Sequence, residues 1–210
     1  MHTETFLERT ALVQQFISAI VISGPPASGK STFAASLRER VRWPLISKDQ
    51  IKEQIFDVLG WQDRQWSQSV SLTSYALMFS WARELATARM PFMLEGNFRP
   101  GAHDGAFRSL TQMGVQWIQV FCTADREVLV HRFAERAGST SRHPGHVDLQ
   151  SVSEIEAELL STPMQPIAID GELLHLDTTQ LDDARVAQLI ERISNTVSVY
   201  AYPDARHTGA

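Results

Sequence analysis

Ala19-Ile20-Val21-Ile22-Ser23 is a short, almost continuous apolar run that ends at glycine and proline, the pattern of a parallel strand covered on both faces. The period then changes. Between Ser31 and Val41 the apolar Phe33, Leu37 and Val41 stand four residues apart, which predicts a helix with one buried face. Trp43 to Ser47 predicts a second short strand. From Asp49 to Leu59 the helical spacing returns in Ile51, Ile55, Val58 and Leu59, and Gly60 stops the run. Ser67 to Ala88 predicts a long, mostly buried helix. Leu72, Ala76, Phe79, Arg83 and Ala86 trace one side of it, and Tyr75, Met78, Ala82 and Leu85 widen the apolar face. Phe92 to Gly96, Trp117 to Cys122 and Leu173 to Asp177 predict further strands, with helices at Ala106 to Met113 and Arg126 to Ala137 and a closing helix from Asp182 to Asn195.

Strands alternating with helices predict a parallel sheet sandwiched between helices, because right-handed crossovers place helices on both faces. Ser139 to Val152 breaks the rhythm. Its Ser, Arg, His, Pro and Gly content predicts a loop, after which Ser153 and Glu156 can form a capping box for a short helix ending near Leu160, before Pro163 and Pro166. The expected organisation is one domain over 1–210, with 138–162 as a lid and 196–210 as a loose tail.

A chain of 210 residues can bury a substantial core in one domain, and 43% hydrophobic with 20% charged residues excludes a disordered or fibrous class. The net charge of -5 gives no general attraction to nucleic acid, although a local basic groove stays compatible with it. Cys122 is the only cysteine, and beside Val120 and Phe121 it reads as a buried strand residue; a cytoplasmic setting is the expectation. The amino-terminal stretch lacks the basic start and cleavage site of a signal peptide, and no run reaches the roughly 18 to 20 apolar residues of a membrane span.

The chemistry starts at Gly24-Pro25-Pro26-Ala27-Ser28-Gly29-Lys30-Ser31, a complete Walker A sequence between a predicted strand and a predicted helix. The two glycines let the backbone turn so that successive N–H groups face an anion, and the helix adds its positive end. Lys30 is expected to reach the beta and gamma phosphates, and the Ser31 hydroxyl to coordinate Mg2+. Thr32 either touches an alpha phosphate or packs. His143 and His146 flank Pro144-Gly145 without the further ligands a zinc site needs. Trp61, Trp66, Tyr75 and Trp81 either wall an acceptor pocket or belong to the core.

Three further stretches follow in order: Ile46-Ser47-Lys48-Asp49, Leu94-Glu95-Gly96-Asn97-Phe98, and Arg132 to Arg136 leading into Arg142-His143-Pro144-Gly145-His146. With the Walker A loop, this order resembles the small P-loop kinases that include chloramphenicol phosphotransferase, zeta toxins, gluconate kinase and the kinase domain of polynucleotide kinase. The resemblance spans Ile20 to Ile193. It implies a P-loop α/β fold, a three-layer α/β/α sandwich with about five parallel strands in the order 2-3-1-4-5 and a lid. It also implies Asp49 as the group acting on the acceptor hydroxyl, and Arg132 and Arg136 as lid arginines over the phosphates, with Arg142 as a third candidate. Glu95, at a strand end, contacts metal, substrate or water, or else pairs with a structural arginine; Asn97 and Arg99 either bind the acceptor or have no role. Asp177-Thr178-Thr179 matches the place where the adenine loop passes the base. The expected activity is transfer of the gamma phosphate of ATP, with Mg2+, to a hydroxyl of a small molecule. Two alternatives stay open: a polynucleotide 5'-hydroxyl kinase, and an ATP-binding regulatory or ATPase module. Neither the acceptor nor the oligomeric state is readable.

Overall fold

The computed structural model describes residues 16–161, 163–180 and 182–198; the expectation for the amino-terminal stretch falls largely outside these. In chain order the elements are β1 (Ile17–Ser23), α1 (Lys30–Val41), β2 (Leu45–Ser47), α2 (Lys48–Leu59), α3 (Arg64–Thr87), β3 (Phe92–Glu95), α4 (Asp104–Gln112), β4 (Val115–Thr123), α5 (Arg126–Ala137), a 3-10 turn (Pro144–His146), α6 (Asp148–Ser161), β5 (Gly171–Asp177) and α7 (Asp183–Ser198). The strands make one sheet in the order β2-β3-β1-β4-β5, every neighbouring pair parallel. This is the P-loop three-layer arrangement that the sequence resemblance implies.

Strand alternation sorts the apolar residues into two cores. Ala19, Val21, Phe92, Leu94 and Trp117 face α3 and α4, where they meet Met78, Phe79, Ala82 and Phe107. Ile20, Ile22, Met93, Ile118 and Val120 face the other way and meet Phe33, Leu37, Ile193 and Val197 of α1 and α7. Burial on both sides explains why β1 reads as a continuous apolar run rather than an alternating one. In β1 and β3 it also leaves the polar side chains to the strand ends.

Four expectations need correction. α3 begins at Arg64 rather than Ser67, because the Asp63 carboxylate caps it by accepting from the Trp66 N–H at 2.8 Å. On α3, Leu72 is exposed, and on α2 Val58 and Leu59 are exposed, so these apolar stripes are wider than the faces they bury. α6 begins at Asp148, which puts Ser153 and Glu156 inside the helix and removes the capping box. The chain reaches that start through Val147, whose left-handed φ of 56° ends the 3-10 turn. Finally, residues 196–198 continue α7, with Val197 buried, and are not part of a tail; 199–210 lie outside the described residues.

The stretch before α6 is docked rather than suspended. A Cβ on Gly145 would stand 2.4 Å from the Phe56 ring, and His143 stacks on that ring at 5.5 Å between centroids. The first part of the expected lid is therefore seated on α2.

The aromatic centre of the α3–α4 face is Phe107, edge-on to Phe98 at 5.1 Å, to Trp117 at 5.1 Å and to Phe79 at 5.3 Å. Phe107→Ala is expected to cost about 3 to 5 kcal/mol by leaving a cavity among rings that cannot collapse together. The check is chemical denaturation, which should show a lower midpoint with an unchanged slope.

Candidate active site

All five strands end on one edge of the sheet, and the order reverses around β1, so the loop after β1 lies at the switch point where open parallel sheets bind ligands. Gly24 makes that loop. Its φ is +142°, and a Cβ there would lie 2.1 Å from the Cys122 carbonyl oxygen, so no side chain fits. Ala27 and Gly29 also take positive φ, and α1 starts without a side-chain cap. Its first-turn N–H groups are thus left for an external anion.

Lys30 is buried and donates to the Pro25 carbonyl at 2.7 Å, which holds the ammonium against the loop. Burial lowers its pKa, and the nearby Glu95 carboxylate opposes that shift. Ser28 Oγ is buried without a partner. Ser31 Oγ donates to Glu95 Oε1 at 3.2 Å and Ser47 Oγ to Glu95 Oε2 at 2.6 Å. Glu95 therefore sits beside the expected metal ligand and is bound by two hydroxyls, not by an arginine. Hard oxygen donors of this kind suit Mg2+, which Ser31 and Glu95 would help to hold. Among the described residues no three His, Cys, Asp or Glu side chains gather as a metal site, His143 and His146 included.

Asp49, in the first turn of α2, is gripped from two sides. Lys48 Nζ lies 3.0 Å from Oδ1 and Arg142 Nη1 3.2 Å from Oδ2. Burial alone would raise its pKa, but Lys48 and Arg142 hold the carboxyl well below the usual range. Arg142 is further fixed by Asp148, with Nε 2.7 Å from Oδ2. His146 Nε2 stands 2.8 Å from Glu53 Oε1 and completes the tie between the 3-10 turn and α2.

The two arginines expected over the phosphates part company. Arg132 donates to the Thr178 carbonyl at 2.8 Å and to Thr178 Oγ1 at 3.1 Å, so it pins the loop after β5. Thr178 Oγ1 in turn lies 3.3 Å from the Ser28 carbonyl, which joins that loop to the phosphate loop. Arg136 has a buried Nε without a partner; its guanidinium lies over the Phe133 ring at 5.4 Å and makes a distant contact, 4.0 Å, to Asp148. Burial and Arg142 both press its pKa down, and an anion beside it would relieve both. The orphaned donors of Ser28 and Arg136 make the site fit a polyphosphate.

Two cavities meet here. One of about 440 Å³ runs along residues 27–32 with Thr32, Arg132, Arg136 and Arg142. The other, of about 500 Å³, extends from Lys30 and Ser31 past Pro26, Glu95, Asn97 and Arg99 to Tyr75 and His103. Asp49 lines both. Of the four aromatics weighed for an acceptor pocket, only Tyr75 lines this second cavity; Trp81 lines a separate apolar groove beside β2, Trp61 packs on His143, and Trp66 Nε1 donates to the Gly60 carbonyl at 3.1 Å. The sequence reading missed Ser47, Lys52, Arg64, His103 and Asp148. Lys52 carried a usable signal, since it stands one helical turn beyond Asp49 between the apolar Ile51 and Ile55.

Lys52 is 3% exposed, donates to Ser67 Oγ at 2.8 Å, and has its pKa lowered by burial from 10.5 to about 7. Above pH 7 the folded chain has released a proton that the unfolded chain keeps to about 10.5, so stability rises with pH. Cys122, pushed up to about 12 by burial, offsets that slope above its ordinary 9.0. Denaturation midpoints are thus expected to rise between pH 7 and 9 in the parent, and Lys52→Met should flatten that rise.

Comparison with solved structures finds the same fold in proteins named as kinases. A protein from Chloroflexus aurantiacus J-10-fl, provisionally named a kinase, is 32% identical, with a TM-score of 0.78 over 90% of this chain and 100% of that one. A sugar kinase from Janibacter sp. HTCC2649 and a gluconokinase from Sinorhizobium meliloti 1021 are each 16% identical over 90% of this chain and 99% and 100% of theirs, with TM-scores of 0.53 and 0.50, and share the fold alone. A search of curated proteins returned no match. The profile of the family described as AAA domain covers residues 20–160, with the phosphate loop, Asp49, Glu95, Arg132 and Arg136 inside it, and this chain belongs to that P-loop kinase-like family.

Proposed function

We propose that this protein transfers the gamma phosphate of ATP to a hydroxyl group of a small molecule. The observation that carries the reading is the position of Asp49 in the lining of both cavities, one running along the phosphate loop and the other leading from Lys30 and Ser31 away toward Tyr75 and His103. A nucleotide in the first and an acceptor in the second would present the gamma phosphate and the hydroxyl to the same side chain.

The roles follow from the chemistry of each group. First-turn amides of α1 and Lys30 would hold the phosphates. Ser31, with Glu95 behind it, would hold Mg2+, which when bound neutralises charge on the phosphate oxygens. Asp49 would orient the acceptor hydroxyl in line and take its proton as the new oxygen–phosphorus bond forms and the bond to the leaving diphosphate breaks. A carboxylate with so low a pKa is a weak base, but the transition state for phosphoryl transfer is loose, so orientation matters more than early proton removal. Arg136, with its orphaned donor, would follow the charge on the moving group, while Arg132 would act from a distance by fixing the loop after β5.

The acceptor cavity also favours a small molecule over a polynucleotide. α6 lies across its mouth, tied to α3 by Arg64 and Glu154 at 3.0 Å and to the loop after β3 by Arg99 and Glu158. A regulatory ATPase would have no use for a second cavity that opens onto the candidate base.

Transfer from labelled ATP to a panel of sugars, hydroxy acids, nucleosides, antibiotics and oligonucleotides tests the activity, and label is expected in one class of small molecule. With that acceptor, Asp49→Asn should lower turnover by about 10²- to 10⁴-fold while ATP still binds. Unchanged turnover in that variant would remove Asp49 from the chemistry, and label in oligonucleotides alone would replace the small-molecule reading.

A further inference from the structure

Seven Lys and Arg side chains line the acceptor cavity against three carboxylates, Asp49, Glu95 and Asp148. The excess is concentrated away from the nucleotide. Lys30 and Arg136 belong to the phosphate loop side, Arg142 is taken by Asp49 and Asp148, and Lys48 by Asp49. Lys52, Arg64 and Arg99 remain, contributed by α2, α3 and the loop after β3, so three separate elements bring positive charge to one cavity.

Lys52 is the informative one. Its side chain is buried, yet its hydrogen-bond partner is the neutral Ser67 hydroxyl, and its other close contact is the face of the Phe56 ring at 5.4 Å. A buried ammonium normally has a carboxylate partner, because removing the charge from water costs far more than a neutral hydrogen bond returns. Here the nearest carboxylates, Asp49 and Asp148, are committed to Lys48 and Arg142. The loss of proton affinity at Lys52 is the mark of that missing counter-charge: burial, Lys48 and Arg142 lower it, and Asp49 and Asp148 only partly restore it. Arg64 and Arg99 are paired, but with Glu154 and Glu158 of α6 at the rim, where exposed pairs exchange easily.

Resting on the kinase reading above, we infer that the acceptor is an anionic hydroxyl compound, a hydroxy acid or a phosphorylated polyol, whose carboxylate or phosphate pairs with Lys52 while Arg64 and Arg99 guard the entrance. The hydroxyl to be phosphorylated then points back toward Asp49, one helical turn before Lys52 on α2. The cavity of about 500 Å³ has room for such a molecule together with the atoms that reach the phosphate loop. Gln68, Ser71 and Asn97 supply the neutral hydrogen-bonding positions along its walls.

The test pairs charged and neutral acceptors of the same skeleton with labelled ATP: glycerate, glycerol 3-phosphate and glycerol; gluconate, glucose 6-phosphate and glucose. Uptake of a non-hydrolysable ATP analogue is measured first by calorimetry. The expected result is label in anionic members alone, with the hydroxy acids and the phosphates distinguishing the two sources of charge. Lys52→Gln should then raise KM for that acceptor tenfold or more and leave the affinity for the analogue as it was, which also shows that the variant is folded. Arg64→Gln, a partly exposed change, should raise the same KM by a smaller factor. Label in neutral members only, label in none of the six while the analogue binds, or an acceptor KM untouched by Lys52→Gln would overturn the inference and leave the kinase reading standing. Failure of the parent protein to take up the analogue would remove both.

Discussion

The amino end of α1 is held at the sheet edge by a contact between two stretches of main chain, Gly24 and the carbonyl of Cys122, with no room between them for a methyl group. The phosphate-loop contacts are arranged around that approach. It sets the turn that lets Lys30 lie back on Pro25 and Ser31 reach Glu95, and it places the uncapped first turn of α1 over the ends of β3 and β4. The same constraint explains the position of Cys122, whose side chain packs into the α1–α7 core while its carbonyl meets the loop. A helix dipole directed at an anion works only if the helix cannot retreat, and the close approach on one side, with Thr178 bonded to the Ser28 carbonyl on the other, fixes it.

The central strands β1 and β3 are legible because they are buried on both sides and so read as nearly unbroken apolar runs, while the edge strand β5 is legible from its alternation, with Leu174 and Leu176 buried between exposed neighbours. The buried faces and starts of the helices were harder. Leu72, Val58 and Leu59 have the spacing of core residues and are exposed, since helical period records amphipathic shape and not what covers it. The start of α6 was hidden because a non-glycine residue, Val147, takes the left-handed conformation that turns the chain there, and a local motif nearby pointed elsewhere. At the site, the Walker A residues are contiguous and were read directly. The partners of Asp49 were not, because Arg142 approaches it from a segment 93 residues away. Likewise nothing in the stretch Arg132 to Arg136 indicates that one arginine is spent on Thr178 and the other is left with an orphaned donor.

The carboxylates at the site show how position divides chemically equal groups. Glu95 is buried between two hydroxyls at the end of β3, and its oxygens are oriented by donors that carry no charge. Asp49 begins α2 and is held by two cations, so it is charged across the whole physiological range. Asp148 serves Arg142, and Glu53 serves His146. Two of the four thus stabilise the seam where the cavities meet, and the other two face the space where phosphate and hydroxyl would approach. Removing charge from the first two would loosen the 3-10 turn from α2 before it touched the chemistry.

The net charge of -5 conceals this partition. Acids lie on the outer helices, Glu154 and Glu158 of α6 among them, while the cavity beneath α6 is basic. The attraction between the two draws α6 across the mouth, but exposed ion pairs contribute only about 0 to 1 kcal/mol each, so closure by Arg64–Glu154 and Arg99–Glu158 is soft. The 3-10 turn is different: Gly145 lies flat on Phe56, and His146 is buried against Glu53. The segment that caps the site is therefore firmly seated at its amino end, and along its helix it is held by packing on α5, where Arg126 donates to the Leu160 carbonyl at 2.7 Å, more than by the two rim ion pairs.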